Sequence, residues 1–438
     1  MRRIHLMILG MSILICSSDG YSQESKAFLS IKEVFECVKN SYYAFENSAF
    51  QTKLAQLTSI TSIGNAFNPK IPSSMQVVNN IAQQVNFLPG QAFGMPGGTF
   101  KEITMGQQYA STINAQPQFD ILNIANLAQI KSANINQQLV ENQNKINEQS
   151  VYDKINALYF NILSFQAQKE IVLKNITIAE QVKLIVTNKF KEGIARKQDM
   201  NEAEVNLMML QDKFSQIEYN TKSQYQTLNL FMGKQQTLIL TQSVKDFEKV
   251  DAVTETHNTL QSENAKLQSL LAEQEYKSVK YQNFPVLSFQ SSLNWQNLSN
   301  DNFFSANSQW IDYRYIGLKL SYDLPTTVQK ISSLENKKIQ LEILKNNEEQ
   351  AQNEMETKNK LLILEYEKSL SQSYYFQKIY DLKKDTYDKN FNQFKEGILP
   401  LDKLIISQND LLNSEFNLMS AFANIGFSKT KIDINNGF

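Results

Sequence analysis

Phe190-Lys191-Glu192-Gly193-Ile194 recurs as Phe394-Lys395-Glu396-Gly397-Ile398, and each copy has an asparagine two residues ahead of its phenylalanine, Asn188 and Asn392. The two glycines stand close to half of the 438-residue chain apart. A five-residue match alone carries little weight. The flanks carry the argument, because the same order of elements surrounds both copies. A helical pattern comes first, at about 30–63 and again at 255–281. A proline and a strand-like stretch follow, Ile71-Pro72-Ser73-Ser74 and Phe284-Pro285-Val286-Leu287. A loop, a second strand, a very long helix into Lys-Glu-Gly-Ile and a shorter returning helix complete each unit. The chain divides into a leader at 1–22, a first repeat at 23–240 and a second at 241–438.

The strands of the second repeat, around 285–325, show the clearest pattern. Leu287, Phe289, Leu293 and Trp295 alternate with Ser288, Gln290, Ser292, Asn294 and Gln296. Ile316, Leu318, Leu320, Tyr322 and Leu324 alternate with Gly317, Lys319, Ser321 and Asp323. Period-two alternation gives one apolar and one polar face. The first repeat, around 71–117, is weaker. Ile103, Met105, Tyr109 and Ile113 oppose Thr104, Gly106, Gln108, Ala110, Thr112 and Asn114, while the stretch before Leu88 is placed as a strand by symmetry. Loops at 89–98 and 298–312 read as hairpin connections.

The long helices are expected at 120–189 and 327–393, roughly 100 Å each at 1.5 Å per residue. The returning helices are expected at 198–232 and 402–430. Helices of that length must pack sideways on others. Ile155, Leu158, Ile162 and Phe165 supply such a seam, as do Met200, Ala203, Leu207, Leu210, Phe214 and Ile217, and Ile405, Leu412, Phe416, Met419 and Ala423. Apolar residues at alternating spacings of three and four are coiled-coil seams.

Arg2 and Arg3 before the apolar Leu6–Ile15 stretch, with Gly20-Tyr21-Ser22 beyond it, read as an export signal that leaves Gln23 as the first mature residue. Ile15 stands where lipidation of Cys16 would need a small residue. Cys37 then remains as a single cysteine, which forms no internal disulfide. Beyond the leader no run of 18 apolar residues exists, so a membrane crossing would have to be a closed β-barrel. The net charge of -1 and the pI near 6.3 give no basic footprint for nucleic acid. His5 leaves with the leader, and His257 alone builds no metal site. No phosphate loop, His-Glu-x-x-His motif or nucleophile elbow occurs, so no cofactor and no enzymatic activity are expected.

The alternating strands would suit a water-soluble sandwich capping a coiled-coil scaffold, or a membrane barrel with its apolar face toward lipid. The export signal, the strand length, the aromatic residues Trp310, Tyr313 and Tyr315 near a strand end and the Ser/Gln/Asn/Thr face favour the barrel. Four strands do not close a water-filled barrel, so protomers must pool them.

In its order of elements the chain resembles the TolC-type outer-membrane efflux family across nearly all of its mature length. The features that carry the resemblance are the duplication, the Gln116-Pro117-Gln118-Phe119-Asp120 exit into a long helix, the Phe284-Pro285-Val286-Leu287-Ser288-Phe289 entry into a strand, and the two Phe-x-x-Gly turns. The resemblance implies a mainly α fold with a β-barrel part: four transmembrane strands per protomer, a trimeric twelve-stranded barrel and a helical periplasmic tunnel. It also implies a homotrimer in outer-membrane lipid, working with a periplasmic adaptor and an inner-membrane transporter as the exit duct of a tripartite efflux pump. A duct for type I protein secretion has the same fold. By position, Lys191, Glu192, Gly193 and Ile194 and their counterparts Lys395, Glu396, Gly397 and Ile398 would meet the adaptor. Acidic residues after the turns would line a closed aperture. Asp199 and Glu202 fit that pattern, whereas Lys403 replaces the acid in the second repeat beside Asp402, which suggests a mixed-charge constriction with Lys403 paired to carboxylates.

Overall fold

The computed structural model describes residues 25–67, 70–233, 235–248 and 259–437. The expected leader with His5 and Cys16, the expected start at Gln23, and His257 lie outside the described residues. In chain order the elements are β1 (Ser25–Phe28), α1 (Ile31–Ser41), α2 (Tyr43–Phe67), β2 (Ser73–Asn79), β3 (Gln84–Pro89), β4 (Phe100–Met105), β5 (Tyr109–Ala115) and β6 (Gln118–Leu122). Then come α3 (Ile124–Lys191), α4 (Lys197–Asn229), β7 (Thr237–Leu240), α5 (Leu260–Tyr281), β8 (Val286–Ser299), β9 (Trp310–Ser321), α6 (Val328–Lys395) and α7 (Leu401–Asn435).

Two of these differ from the sequence expectation for physical reasons. The first helix is broken at Tyr42, which is extended at φ -84°, ψ 117°. The break lets its ring pack 5.4 Å from Phe231 and 5.8 Å from Phe45. The first-repeat stretch holds five short strands instead of two. Gly106, at φ +106°, interrupts one side of the hairpin, and Pro117, which has no N–H to give to a ladder, separates β5 from β6. The Ser291 N–H still donates to the Pro117 carbonyl at 2.8 Å, so β5 and β6 follow each other along the same neighbour, β8.

The chain folds as two compact units that cut across the two repeats. One unit gathers Met1–Phe45, Ser150–Thr256 and Leu361–Phe438. Within it β1 pairs in parallel with β7, Ala27 against Ile239. Its core is conventional: Phe28, Val34, Phe35, Tyr159, Ile162, Leu163, Leu228, Met232 and Ile432 are almost wholly buried. Each such side chain contributes roughly 1.5–3 kcal/mol by leaving water. The coiled-coil seams lie here, with Ile155, Ala203, Leu207, Leu210, Ile217, Leu412, Met419 and Ala423 buried. Gly233, at φ +69°, passes so close to Ser41 that a Cβ would stand 2.3 Å from its carbonyl oxygen.

The other unit gathers Glu46–Gln149 and His257–Lys360 and is built the opposite way. Its buried apolar side chains, among the described residues, are Ala55, Ala125, Ala128, Ala133, Ala272, Leu267 and Leu341. Five of those seven are alanines, while Phe50, Leu54, Ile60, Phe67, Ile316, Leu318 and Leu320 are exposed. A unit with a small-residue interior and a greasy exterior is not designed to stand alone in water.

Its sheet runs antiparallel in the order β2, β5, β8, β9, with β6 also on β8; β3 and β4 form a separate hairpin. The register sorts the two faces. Leu287 lies opposite Leu320, Phe289 opposite Leu318, Ser291 opposite Ile316 and Trp295 opposite Asp312. Ile113 joins Trp295 and Met75 joins Ile113 on that same face. The other face pairs Ser288 with Lys319, Gln290 with Gly317, Asn294 with Asn114 and Tyr313, and Gln296 with Thr112. The two apolar runs read from the sequence therefore share one face. Of the aromatic residues singled out there, Trp310 is on the apolar side, while Tyr313 and Tyr315 fall on the polar side by strand parity. The outer edges of β2 and β9 carry no strand partner among the described residues.

Candidate functional site at the paired helical turns

Both Lys-Glu-Gly-Ile turns lie in the conventionally packed unit, and their backbones are superposable in hydrogen bonding. In the first, the Gly193 N–H donates to the Phe190 carbonyl at 3.0 Å and the Ile194 N–H to the Lys189 carbonyl at 2.7 Å. In the second, Gly397 donates to Phe394 at 3.1 Å and Ile398 to Gln393 at 2.9 Å. This pair of bonds is the Schellman closure, which requires the left-handed conformation at its glycine. Gly193 and Gly397 adopt it, at φ +75° and +80°. The glycines are needed for that backbone shape and not for space, since a Cβ at either would meet nothing within 4 Å.

The side chains around the turns are solvent-facing. Lys191, Glu192, Lys395 and Glu396 are exposed, and Ile194 and Ile398 stand 71% and 69% exposed. Behind them a small core holds the ends of α3, α4, α6 and α7 together through Val182, Val186, Ala203, Tyr387, Phe394 and Leu404. Burial pushes the Tyr387 phenol up to about 12. Lys189 links the two turns: its ammonium donates to the Phe394 carbonyl at 3.2 Å and lies 4.8 Å from the Phe394 ring centre. Sequence reasoning passed over Lys189, because nothing in its spacing identifies a contact to the other repeat.

The four aperture candidates sit on the first turns of α4 and α7. Asp199 is occupied by its own helix: its carboxylate accepts from the Arg196 backbone N–H at 2.8 Å and from the guanidinium at 2.9 and 3.3 Å. The side-chain hydrogen bonds from Arg196, and then the backbone one, hold the Asp199 carboxyl below its usual range. Arg196 is in turn held charged chiefly by its hydrogen bond to Asp199, then by the Asp199 charge, with Glu202 and Asp402 contributing. Asp199 alone is paired with Arg196, while Glu202 and Asp402 add only the long-range attraction of their charge. Lys403 is exposed on the first turn of α7 and has no ion pair among the described residues; the pairing cation is Arg196.

The structure also explains why the two repeats differ here. Arg196 is the N-cap of α4 and Pro400 is the N-cap of α7. Proline has no N–H, so a carboxylate three residues later would have no backbone donor to cap. Lys403 stands at that position.

One buried polar layer lies deeper in the same unit. The Asn206 amide donates to Gln408 at 3.2 Å, and Gln408 donates to the Asn175 carbonyl at 3.3 Å. Buried amides of this kind fix the register of neighbouring helices, because a slipped alignment leaves them unpaired.

No family model matches the sequence, and no curated protein matches it. Solved structures do match in fold. CusC, described by its folding and transmembrane channel formation, has a TM-score of 0.77 at 13% identity, over 93% of this chain and 92% of its own. The outer membrane protein VceC of Vibrio cholerae has a TM-score of 0.73 at 12% identity, over 93% and 96%. The CmeC outer membrane channel of Campylobacter jejuni has a TM-score of 0.66 at 12% identity, over 95% and 89%. The chain is mostly helical with a curled sheet, and its fold is that of the TolC-type outer-membrane channels.

Proposed function

We propose that this chain is one protomer of a trimeric outer-membrane exit duct for a tripartite efflux pump. The observation that carries the reading is the sheet with one apolar face, one polar face and two unpaired edges. In hydrocarbon each unpaired backbone group costs several kcal/mol, so such edges must be sealed. β5 and β6 occupy one position beside β8, leaving four strand positions per chain. An even number of antiparallel strands leaves β2 and β9 running in opposite directions, so β9 of one copy can join β2 of the next without breaking the alternation. Three copies give twelve strands, the number that the family resemblance implies. The Leu287/Leu320 face meets lipid and the Ser288/Lys319 face lines a wet lumen.

In this reading the helices line a periplasmic tunnel, and Lys191–Ile194 with Lys395–Ile398 are offered to a periplasmic adaptor. Asp199, Glu202, Asp402 and Lys403 border the aperture. The duct is passive; its inner-membrane transporter supplies the energy. The test is conductance of the purified protein in planar bilayers. A detergent-extracted trimer should form channels, and Asp199→Asn with Asp402→Asn should lower their cation preference. A monomer that dissolves without detergent and gives no conductance would overturn the duct, and unchanged selectivity would remove these carboxylates from the aperture.

A further inference from the structure

The connection between β2 and β5 is a hairpin of its own, β3 with β4, set beyond the end of the sheet that lies away from the helices. Its root is fixed. The Asn80 N–H donates to the Gln108 carbonyl at 2.7 Å, and the Asn80 side-chain amide donates to the Gln107 carbonyl at 2.8 Å. The Gln108 N–H donates to the Asn300 side-chain oxygen at 3.0 Å. Beside the root the Tyr109 ring lies 4.9 Å from Phe303, and the Phe304 ring lies 6.2 Å from Trp310. The tip closes on itself: the Gly90 N–H donates to the Thr99 carbonyl at 2.8 Å and the Met95 N–H to the Gly90 carbonyl at 3.0 Å. Among the described residues β3 and β4 pair with each other and with no other strand.

The two faces of this hairpin differ. Register places Asn86 opposite Ile103 and Leu88 opposite Lys101 on one face. There Asn86, Leu88 and Ile103 are half-buried, and the tip contributes Phe93, whose ring centre lies 4.8 Å from the Lys101 ammonium. The other face pairs Val85 with Thr104, Phe87 with Glu102 and Pro89 with Phe100. Its Val85, Phe87 and Phe100 stand 44%, 61% and 64% exposed. Between Lys70 and Asp120 only Lys101 and Glu102 are charged. A hairpin face left to water is ordinarily polar, so this apolar one is built to be covered.

We infer that this bare face rests on the outer leaflet of the membrane, with Val85, Phe87 and Phe100 among the headgroups and upper acyl chains. Lipid is the occupant for three reasons. The hairpin grows from β2, whose Met75 and Val77 lie on the apolar face that the duct reading gives to lipid, so the bare surface continues one already turned to the membrane. Its root stands beside Tyr109 and Trp310, residue types that gather at membrane–water interfaces. The near absence of charge suits a lipid surface, and a segment lying roughly 5–10 Å deep in the interface lets the single carboxylate of that face, Glu102, reach water. At about 3.3 Å per residue β3 extends roughly 20 Å outward from the rim, so the hairpin acts as an outrigger that fixes the depth and tilt of the barrel. The inference rests on the duct reading for its membrane and adds a lipid contact outside the barrel wall.

The test is nitroxide accessibility in the full chain carrying Cys37→Ser, reconstituted into vesicles of phosphatidylethanolamine and phosphatidylglycerol. Spin labels are placed singly by Phe87→Cys and Phe100→Cys on the bare face, and by Lys101→Cys on the other. All three side chains are exposed in the protomer, so folding is not at stake. Labels at 87 and 100 should collide about threefold or more as often with dioxygen, which concentrates in lipid, as with a water-soluble nickel chelate, and the label at 101 should show the reverse preference. Nickel preference at 87 and 100 in protein that floats with the vesicles and conducts would overturn the lipid contact and leave the duct intact. So would mutual broadening of the labels at 87 or 100, which would put a second copy on that face. Protein that does not float with the vesicles would overturn the duct and the lipid contact together.

Discussion

Replacing Ile194 and Ile398 by alanine separates docking from folding. Both side chains stand about seven-tenths exposed, at 71% and 69%, so their truncation removes little that the protomer uses. An isoleucine exceeds an alanine by three carbons, worth about 0.8 kcal/mol each when buried. If the turns dock as proposed, covering the exposed seven-tenths against an adaptor would contribute about 1.7 kcal/mol per turn. At 1.4 kcal/mol per factor of ten, each substitution should weaken adaptor binding roughly 15- to 20-fold. The pair should weaken it roughly 300-fold if the turns act independently. Binding of the purified channel in detergent to its cognate adaptor, measured by surface plasmon resonance, gives the number. Trimer yield and channel conductance should stay at wild-type levels. Unchanged affinity in the double variant would refute docking through these turns. Loss of the trimer would show that the isoleucines are structural.

Two further outcomes follow from the geometry. Gly193→Ala and Gly233→Ala impose the same left-handed strain, about 1–2 kcal/mol, but only Gly233 has a carbonyl 2.3 Å from the new Cβ. Overpacking there adds about 1–3 kcal/mol, so denaturation midpoints should fall much further for Gly233→Ala, and equal falls would contradict the close approach to Ser41. Asp199 has a folded-state pKa below its unfolded value of about 3.9. Its cap on α4 is then complete above the unfolded value and is lost as pH falls through the folded one. Hydrogen exchange of the 194–205 segment should show an Asp199-dependent loosening only in that acid window, absent in Asp199→Ala; a transition nearer neutrality would reverse the sign of the shift.

The duplicated Lys-Glu-Gly-Ile turns, the helical seams and the alternation of the β8 and β9 strands were all legible along the chain. Each depends on local periodicity, and a sheet or helix expresses period two or 3.6 wherever it packs. The first-repeat strands were not legible in the same way. Their pattern is interrupted at Gly106 and Pro117, and only pairing with β8 shows that β5 and β6 share one neighbour. At the turns, the glycine requirement could be read from residue type, but the role of Arg196 could not. Its guanidinium matters because Asp199 folds back on it, a contact created by the turn.

By itself the sequence determined which residues are apolar, at what spacing, and where the chain must reverse. Tertiary structure alone decided which apolar faces are spent inside the protomer and which are left bare. Ile162 and Phe50 both sit in helical patterns, yet one is buried and the other exposed. The difference arises because Ser48, Thr52, Ala55 and Ser59 line the covered side of α2. Hydrophobicity states that a side chain should leave water; only the arrangement of neighbouring elements states whether its own chain, another copy or lipid will cover it.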